Sequence, residues 1–256
     1  MSEPTRSIFV SGAASGIGKE TARRFAEAGW RVGLSDIDGQ ALENVFGELG
    51  DLASIHAADV REAQSIHAAL SAFCGEGGLD VLFNCAGILE MREFSESKLE
   101  RLHDIVAVNV DGVINCVHAA LPMLRKASAP HIVTMSSAVA CYGGPEMAVY
   151  SATKFAVRGL TEALNIELER EGIWVCDVMV AYVATPMVLA AQAQARSVDL
   201  LGVNVQPSQV AETVFKAANG RQVHWFVTEG DQSFATLVDA TPWEERREIM
   251  KSISGF

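Results

Sequence analysis

Tyr150 and Lys154 stand four residues apart in the segment Tyr150-Ser151-Ala152-Thr153-Lys154, a spacing that puts a phenol and an ammonium on one face of a helix. A free phenol titrates near pH 10, and a cation within about 4 to 6 Å favours its phenolate by roughly one to three units. Tyr150 would then serve as a general acid or base near neutral to mildly alkaline pH. Tyrosine and lysine at this spacing are also commonplace in ordinary helices, so the pair needs partners elsewhere in the chain.

The second chemistry-bearing segment is Ser11-Gly12-Ala13-Ala14-Ser15-Gly16-Ile17-Gly18. Glycines at a strand-to-helix turn let the backbone turn tightly and approach a pyrophosphate, whose charge meets free N–H groups at the helix N-terminus. Gly12, Ser15, Gly16, Ile17 and Gly18 are the candidate phosphate-side residues. Asp36, near the end of the next strand, lies about 20 residues on, where a carboxylate accepts hydrogen bonds from an adenosine ribose. The same carboxylate would repel a 2′-phosphate, and neither Ile37 beside it nor the glycine turn supplies a cation, so NAD is expected over NADP. Taken alone, the glycines could be plain turn residues and Asp36 a surface turn former.

These segments need a scaffold, and the pattern of the chain supplies one. Short β-rich runs (Ile8 to Val10, Arg31 to Ser35, Ser54 to Ala57, Val81 to Phe83, His131 to Met135, Trp174 to Val180, Val223 to Val227) alternate with amphipathic helical stretches, the pattern of a parallel sheet covered on both faces. Two long helices are read over Lys98 to Val108 and Val110 to Lys126, and another over about Val149 to Arg170. Right-handed crossovers make this one doubly wound, Rossmann-type α/β domain over residues 1–256, with ligands beyond the strand C-termini where strand order reverses. Residues 185–206 read as a loose substrate-side segment and 228–256 as a C-terminal tail.

With these motifs in this order, the chain resembles the short-chain dehydrogenase/reductase family, its shorter, non-extended and NAD-preferring members, from about Ser7 to Val227. The resemblance rests on the glycine turn beginning at Ser11, on Asn84-Cys85-Ala86-Gly87 after the fourth strand, and on Ser137 thirteen residues before Tyr150. It implies that Tyr150 exchanges the proton with the substrate oxygen and Ser137 orients that oxygen. It also implies that Lys154 lowers the tyrosine pKa while holding the nicotinamide ribose, and that Asn109 positions a water for a relay through Lys154. By the same resemblance Asp59 and Val60 lie beside the adenine, Asn84, Ala86 and Gly87 border the cofactor, and Val183 and Thr185 meet the nicotinamide side. Singly, Ser137 could merely end a strand, Asn109 break two helices and Asn84 form a turn.

Two departures stand out. Val180-Ala181 occupies the place of the family's Pro-Gly, which puts the nicotinamide-side backbone in question. The family's frequent Val-Asp-Gly-Gly ending, through which tetramers often form, is missing, so a homodimer is expected with a tetramer as the alternative.

Leu89, Met91, Val139, Tyr142, Met147, Tyr182, Met187 and Leu189 are the expected borders of the substrate. They offer no lysine or arginine to clamp an anion, which points to a hydrophobic secondary alcohol or ketone. The competing readings are an NAD-binding sensor or scaffold and a sugar-nucleotide epimerase relative.

Composition narrows the field. The chain has 256 residues, 49% hydrophobic and 20% charged, with a formal net charge of −12. That favours a well-buried core and disfavours nucleic acid or an anionic membrane surface. No run near 20 consecutive apolar residues and no signal-peptide core is read, so a cytoplasmic protein without a membrane span is expected. Five scattered cysteines without a CxxC pair argue against disulfides, and no His pattern suggests a metal.

Overall fold

Residues 5–256 are described by a computed structural model; the opening residues 1–4, part of the segment read as too short for a signal peptide, lie outside the described residues. Seven strands form one sheet: β1 (Ser7–Ser11), β2 (Arg31–Ser35), β3 (Ala53–Ile55), β4 (Val81–Asn84), β5 (His131–Met135), β6 (Trp174–Met179) and β7 (His224–Phe226). Their order is β3-β2-β1-β4-β5-β6-β7 and every pairing is parallel. Because helices cover both faces, the central strands read as unbroken apolar runs rather than alternating ones. Ile8 and Val10 point into one core layer with Val81, Phe83 and Val133, while Phe9, Leu82 and Ile132 point into the other. Each fully buried side chain of this size contributes about 1.5–3 kcal/mol.

The order reverses between β1 and β4, whose register places Ser11 opposite Asn84. A crevice opens at their C-terminal ends. Helix α1 (Gly16–Glu27) leaves β1 through the glycine turn and buries Thr21, Ala22, Phe25 and Ala26. Helices α2 (Gly39–Leu49) and α3 (Ala63–Cys74) follow β2 and β3.

The two helices read around Asn109 are instead one continuous rod. Helix α4 (Leu99–Val106) passes through a π-helical turn, Ala107–Asp111, directly into α5 (Gly112–Leu124). Residues 106–110 contain neither Gly nor Pro, and a π-bulge absorbs an extra residue without ending a helix. The composite Leu99–Leu124 is 26 residues long and apolar enough, by length and composition, to cross a bilayer, a test that the buried core helix of a soluble protein also passes. Here its Val113, Val117, Ala120 and Leu124 pack into the sheet's core.

The remaining differences concern the C-terminal third. Helix α6 (Ala148–Glu169) carries Tyr150 and Lys154. The loose segment holds two short helices, α7 (Pro186–Leu189) and α8 (Arg196–Leu201), and is pinned by a parallel bridge between Val183 and Val205 before α9 (Pro207–Ala217). The expected tail is largely helical, as α10 (Glu229–Ala240) and α11 (Trp243–Ser254). Thr228 and Asp231 form a reciprocal capping box at the start of α10, a signal already present in the spacing Thr-x-x-Asp.

Candidate functional site

A cleft of about 810 Å³ runs along the C-terminal ends of the strands, from Asp36 and Asp59 at one end to α8, α10 and α11 at the other. Its volume lies within the range typical of small-molecule sites, toward the large end.

At the β1–α1 turn, Gly12 has φ +75° and a Cβ there would stand 2.7 Å from the backbone of Ala86. A Cβ on Gly18 would lie 2.0 Å from the carbonyl oxygen of Gly12, so the first turn of α1 closes against the loop only without a side chain. Ser15 is the N-cap of α1, yet its side chain caps nothing. The leading N–H groups of α1 therefore lack a side-chain partner, which suits an anion at the helix end. Ser11 Oγ lies within 3.2 Å of the Cys85 N–H and 3.4 Å of the Ala86 N–H, binding the glycine turn to the loop after β4.

Asp36 lines the cleft, with Oδ2 accepting from the Ala14 N–H at 3.2 Å and Oδ1 from the Asp38 N–H at 3.1 Å. Each carboxylate oxygen retains a lone pair for a further donor. Asp59 also lines the cleft, but Arg61 holds it in a 2.6 Å ion pair that keeps its carboxyl below the usual range. Two arginines border the cleft: Arg61, and Arg101, which donates to the Leu89 carbonyl at 3.1 Å; the sequence reading named no arginine among the substrate-side residues. Neither guanidinium is free of a protein partner.

Tyr150, Lys154, Ser136 and Ser137 meet on one wall. Lys154 Nζ lies 5.5 Å from the Tyr150 ring centre and donates to the Met135 carbonyl at 2.7 Å. The direction of the tyrosine shift differs from the sequence expectation. Burial pushes the Tyr150 phenol up to about 12, with the Ser137 hydroxyl opposing. Burial also pushes Lys154 down to about 8. Desolvation penalises both charged forms, so the proton that leaves the pair most readily near neutral pH sits on the lysine.

Asn109 lies in the π-turn with its amide fully engaged: Oδ1 accepts from the Ile88 N–H at 2.8 Å, and Nδ2 donates to the Ile88 carbonyl at 3.0 Å and to Thr153 Oγ1 at 3.2 Å. It ties the loop carrying Gly87 and Leu89 to the helix carrying Tyr150. Asn84 is buried between β4 and β5, donating to Thr134 Oγ1 at 3.2 Å. The cleft wall begins after it, at Cys85, Ala86 and Gly87.

Ile37, Val60, Val183 and Thr185 line the cleft, as do Leu89, Val139, Tyr142, Met147, Tyr182 and Met187. Leu189 is largely exposed and Met91 is buried behind the wall; neither borders the cleft. The sequence reading missed the far wall: Thr228, Gly230, Asp231 and Phe234 from the start of α10, and Met250, Ile253 and Ser254 from α11. It had assigned those residues to a tail. The five cysteines are free, and among the described residues no group of His, Cys, Asp and Glu could hold a metal ion.

The family model described as short chain dehydrogenase matches residues 6–196. A cyclohexanol dehydrogenase from Acinetobacter sp. is 33% identical over 235 residues, covering 89% of each chain. Among solved structures, a 3-ketoacyl-(acyl-carrier-protein) reductase from Brucella melitensis complexed with NADH is 29% identical, with a TM-score of 0.79 over 88% of this chain and 98% of that one. A short chain dehydrogenase/reductase from Burkholderia phymatum in complex with NAD is 25% identical, with a TM-score of 0.82 over 97% of this chain and 96% of its own.

Proposed function

Because the chain belongs to the short chain dehydrogenase family, we propose that it is an NAD-dependent oxidoreductase acting on a hydrophobic secondary alcohol or its ketone. The observation that carries this reading is one continuous cleft holding the glycine turn and Asp36 at one end and Tyr150, Ser137 and Lys154 toward the other. Two solved relatives bind NADH or NAD at the same fold, and a curated relative is named for cyclohexanol.

The residues present fit a dinucleotide. The uncapped start of α1 and the side-chain-free surface at Gly12 and Gly18 would receive the pyrophosphate, and Asp36 the adenosine ribose. When bound, the nicotinamide accepts or donates the hydride. Tyr150 would take the alcohol proton at its Oη, with Ser137 Oγ orienting the substrate oxygen. Lys154, with its pKa lowered to about 8, would relay that proton and lend positive charge to the phenolate as it forms. Apolar walls from Leu89, Val139 and Met147 on one side and Met250 and Ile253 on the other would exclude water from the reacting carbon.

The test follows reduced-nicotinamide absorbance with NAD or NADP and a panel of secondary alcohols, in wild type, Asp36→Ala and Tyr150→Phe. Turnover with NAD, its loss in Tyr150→Phe with NADH binding retained, and a relative gain for NADP in Asp36→Ala are the expected results. Binding of NADH without turnover of any alcohol or ketone would favour a sensor.

A further inference from the structure

Behind and along the substrate-side wall of the cleft, a small apolar cluster gathers Met91, Met147, Ala195 and Val198, with Leu89, Val139, Tyr150, Tyr182 and Val203 packed against it. Two hydroxyls besides those of Ser137 and Tyr150 interrupt this surface. Tyr182 Oη lies 2.7 Å from Ser197 Oγ, and both residues line the cleft. Ser197 is buried, and burial pushes the Tyr182 phenol up, so the hydroxyl stays protonated and able to donate.

The pair has two O–H donors and one mutual hydrogen bond. If Ser197 donates to Tyr182, the phenol hydrogen is left with Met147 Sδ, at 3.8 Å; if Tyr182 donates, the serine hydrogen is left over. A thioether is a weak acceptor, and a donor held in an apolar compartment without a good acceptor is costly. An oxygen on a bound molecule would outcompete the sulfur.

We infer that Tyr182 and Ser197 form a second polar subsite that selects substrates bearing another hydroxyl or carbonyl oxygen besides the one at the reacting carbon: diols, hydroxyketones or diketones on an otherwise apolar frame. The inference rests on the oxidoreductase reading above and specifies its substrate class. Tyr182 follows β6 directly, and Ser197 lies on α8, which packs against α11. The subsite thus joins the segment after the sixth strand to the helices that close the far wall. Sites built to hydrogen-bond a substrate hydroxyl discriminate strongly against analogues that lack it.

The test compares kcat/KM for cyclohexanol with that for the cis and trans isomers of cyclohexane-1,2-, 1,3- and 1,4-diol, in wild type, Tyr182→Phe and Ser197→Ala. The readout is the diol-to-monool ratio, because a merely structural defect would lower both substrates together and leave the ratio unchanged. At least one diol is expected to exceed cyclohexanol by about tenfold in wild type, with that advantage falling to near unity in Tyr182→Phe and reduced in Ser197→Ala. Turnover of cyclohexanol with no diol preferred, or a preference that survives both substitutions, would overturn the subsite while leaving the oxidoreductase reading intact. Turnover of none of these alcohols would remove the oxidoreductase reading on this substrate class, and the subsite with it.

Discussion

The backbone N–H of Ala181 donates to Oδ1 of Asp231 at 2.9 Å, so the backbone just beyond β6 is anchored by a capping-box carboxylate fifty positions away. Asp231 Oδ2 accepts from the Thr228 N–H at 3.0 Å and hydroxyl at 2.7 Å. One buried carboxylate therefore holds both the start of α10 and the backbone leaving β6. The hydrogen bond to Ala181 anchors the segment in which Val180-Ala181 departs from the Pro-Gly that the resemblance leads one to expect.

Asp231→Ala should accordingly lose about 1 to 3 kcal/mol of stability, because the Ala181 and Thr228 N–H groups are left without their acceptor, and also weaken NADH binding, because the chain from Ala181 to Val183 loses its anchor. Denaturant unfolding and NADH fluorescence titration measure the two effects. Asp231→Asn, which keeps one acceptor oxygen, should lose less of both.

The glycines separate into those that touch and those that do not. A Cβ on Gly18 meets the Gly12 carbonyl oxygen at 2.0 Å, whereas one on Gly47, inside α2, meets nothing within 4 Å. Gly18→Ala is expected to abolish NADH binding and lower the melting temperature sharply. Gly47→Ala should raise stability by about 0.5–1 kcal/mol, since alanine costs a helix less conformational entropy. Paired thermal melts decide both.

The pH dependence of oxidation follows from the shifts at the wall. With Lys154 lowered to about 8 and Tyr150 raised to about 12, the pair gives up its first proton near pH 8. The kcat/KM for alcohol oxidation should rise as pH passes through about 8 in wild type. In Lys154→Met that inflection should move above pH 10, because the buried phenol then titrates alone. A profile of kcat/KM against pH for both proteins checks it.

Away from the cleft, His224 Nδ1 lies 2.8 Å from Asp177 Oδ1, and its Nε2 lies 3.3 Å from Glu162 Oε1. The bond to Asp177 raises the His224 pKa above its ordinary 6.5. A histidine with a raised folded pKa contributes stability that is fully present below about pH 6.5 and is lost as pH climbs through the folded value. His224→Gln should therefore lower the melting temperature most near pH 6, and the difference from wild type should narrow toward pH 9.

The sheet was legible in the residues because parallel strands buried on both faces must be continuous apolar runs, and β2 and β5 fall on the residues so read. Helices α10 and α11 were not, because the charged run Glu244-Glu245-Arg246-Arg247-Glu248 reads as a solvated tail; only the Thr228–Asp231 spacing signalled a start there. The π-turn at Asn109 escaped for a related reason: a bulge is decided by what the helix packs on, and the propensity of its residues carries no mark of it.

By itself, the sequence determined the order of the seven strands, the glycine turn, and the helical spacing that puts Tyr150 beside Lys154, since each depends on neighbours within a few residues along the chain. The tertiary structure alone decided that burial, more than the nearby cation, governs the Tyr150 phenol. It also decided that Asn109 grips the Ile88 backbone, that Asp231 reaches Ala181, and that α11 walls the substrate end. Desolvation and long-range hydrogen bonds depend on which distant segments meet, and local spacing along the chain does not specify those meetings.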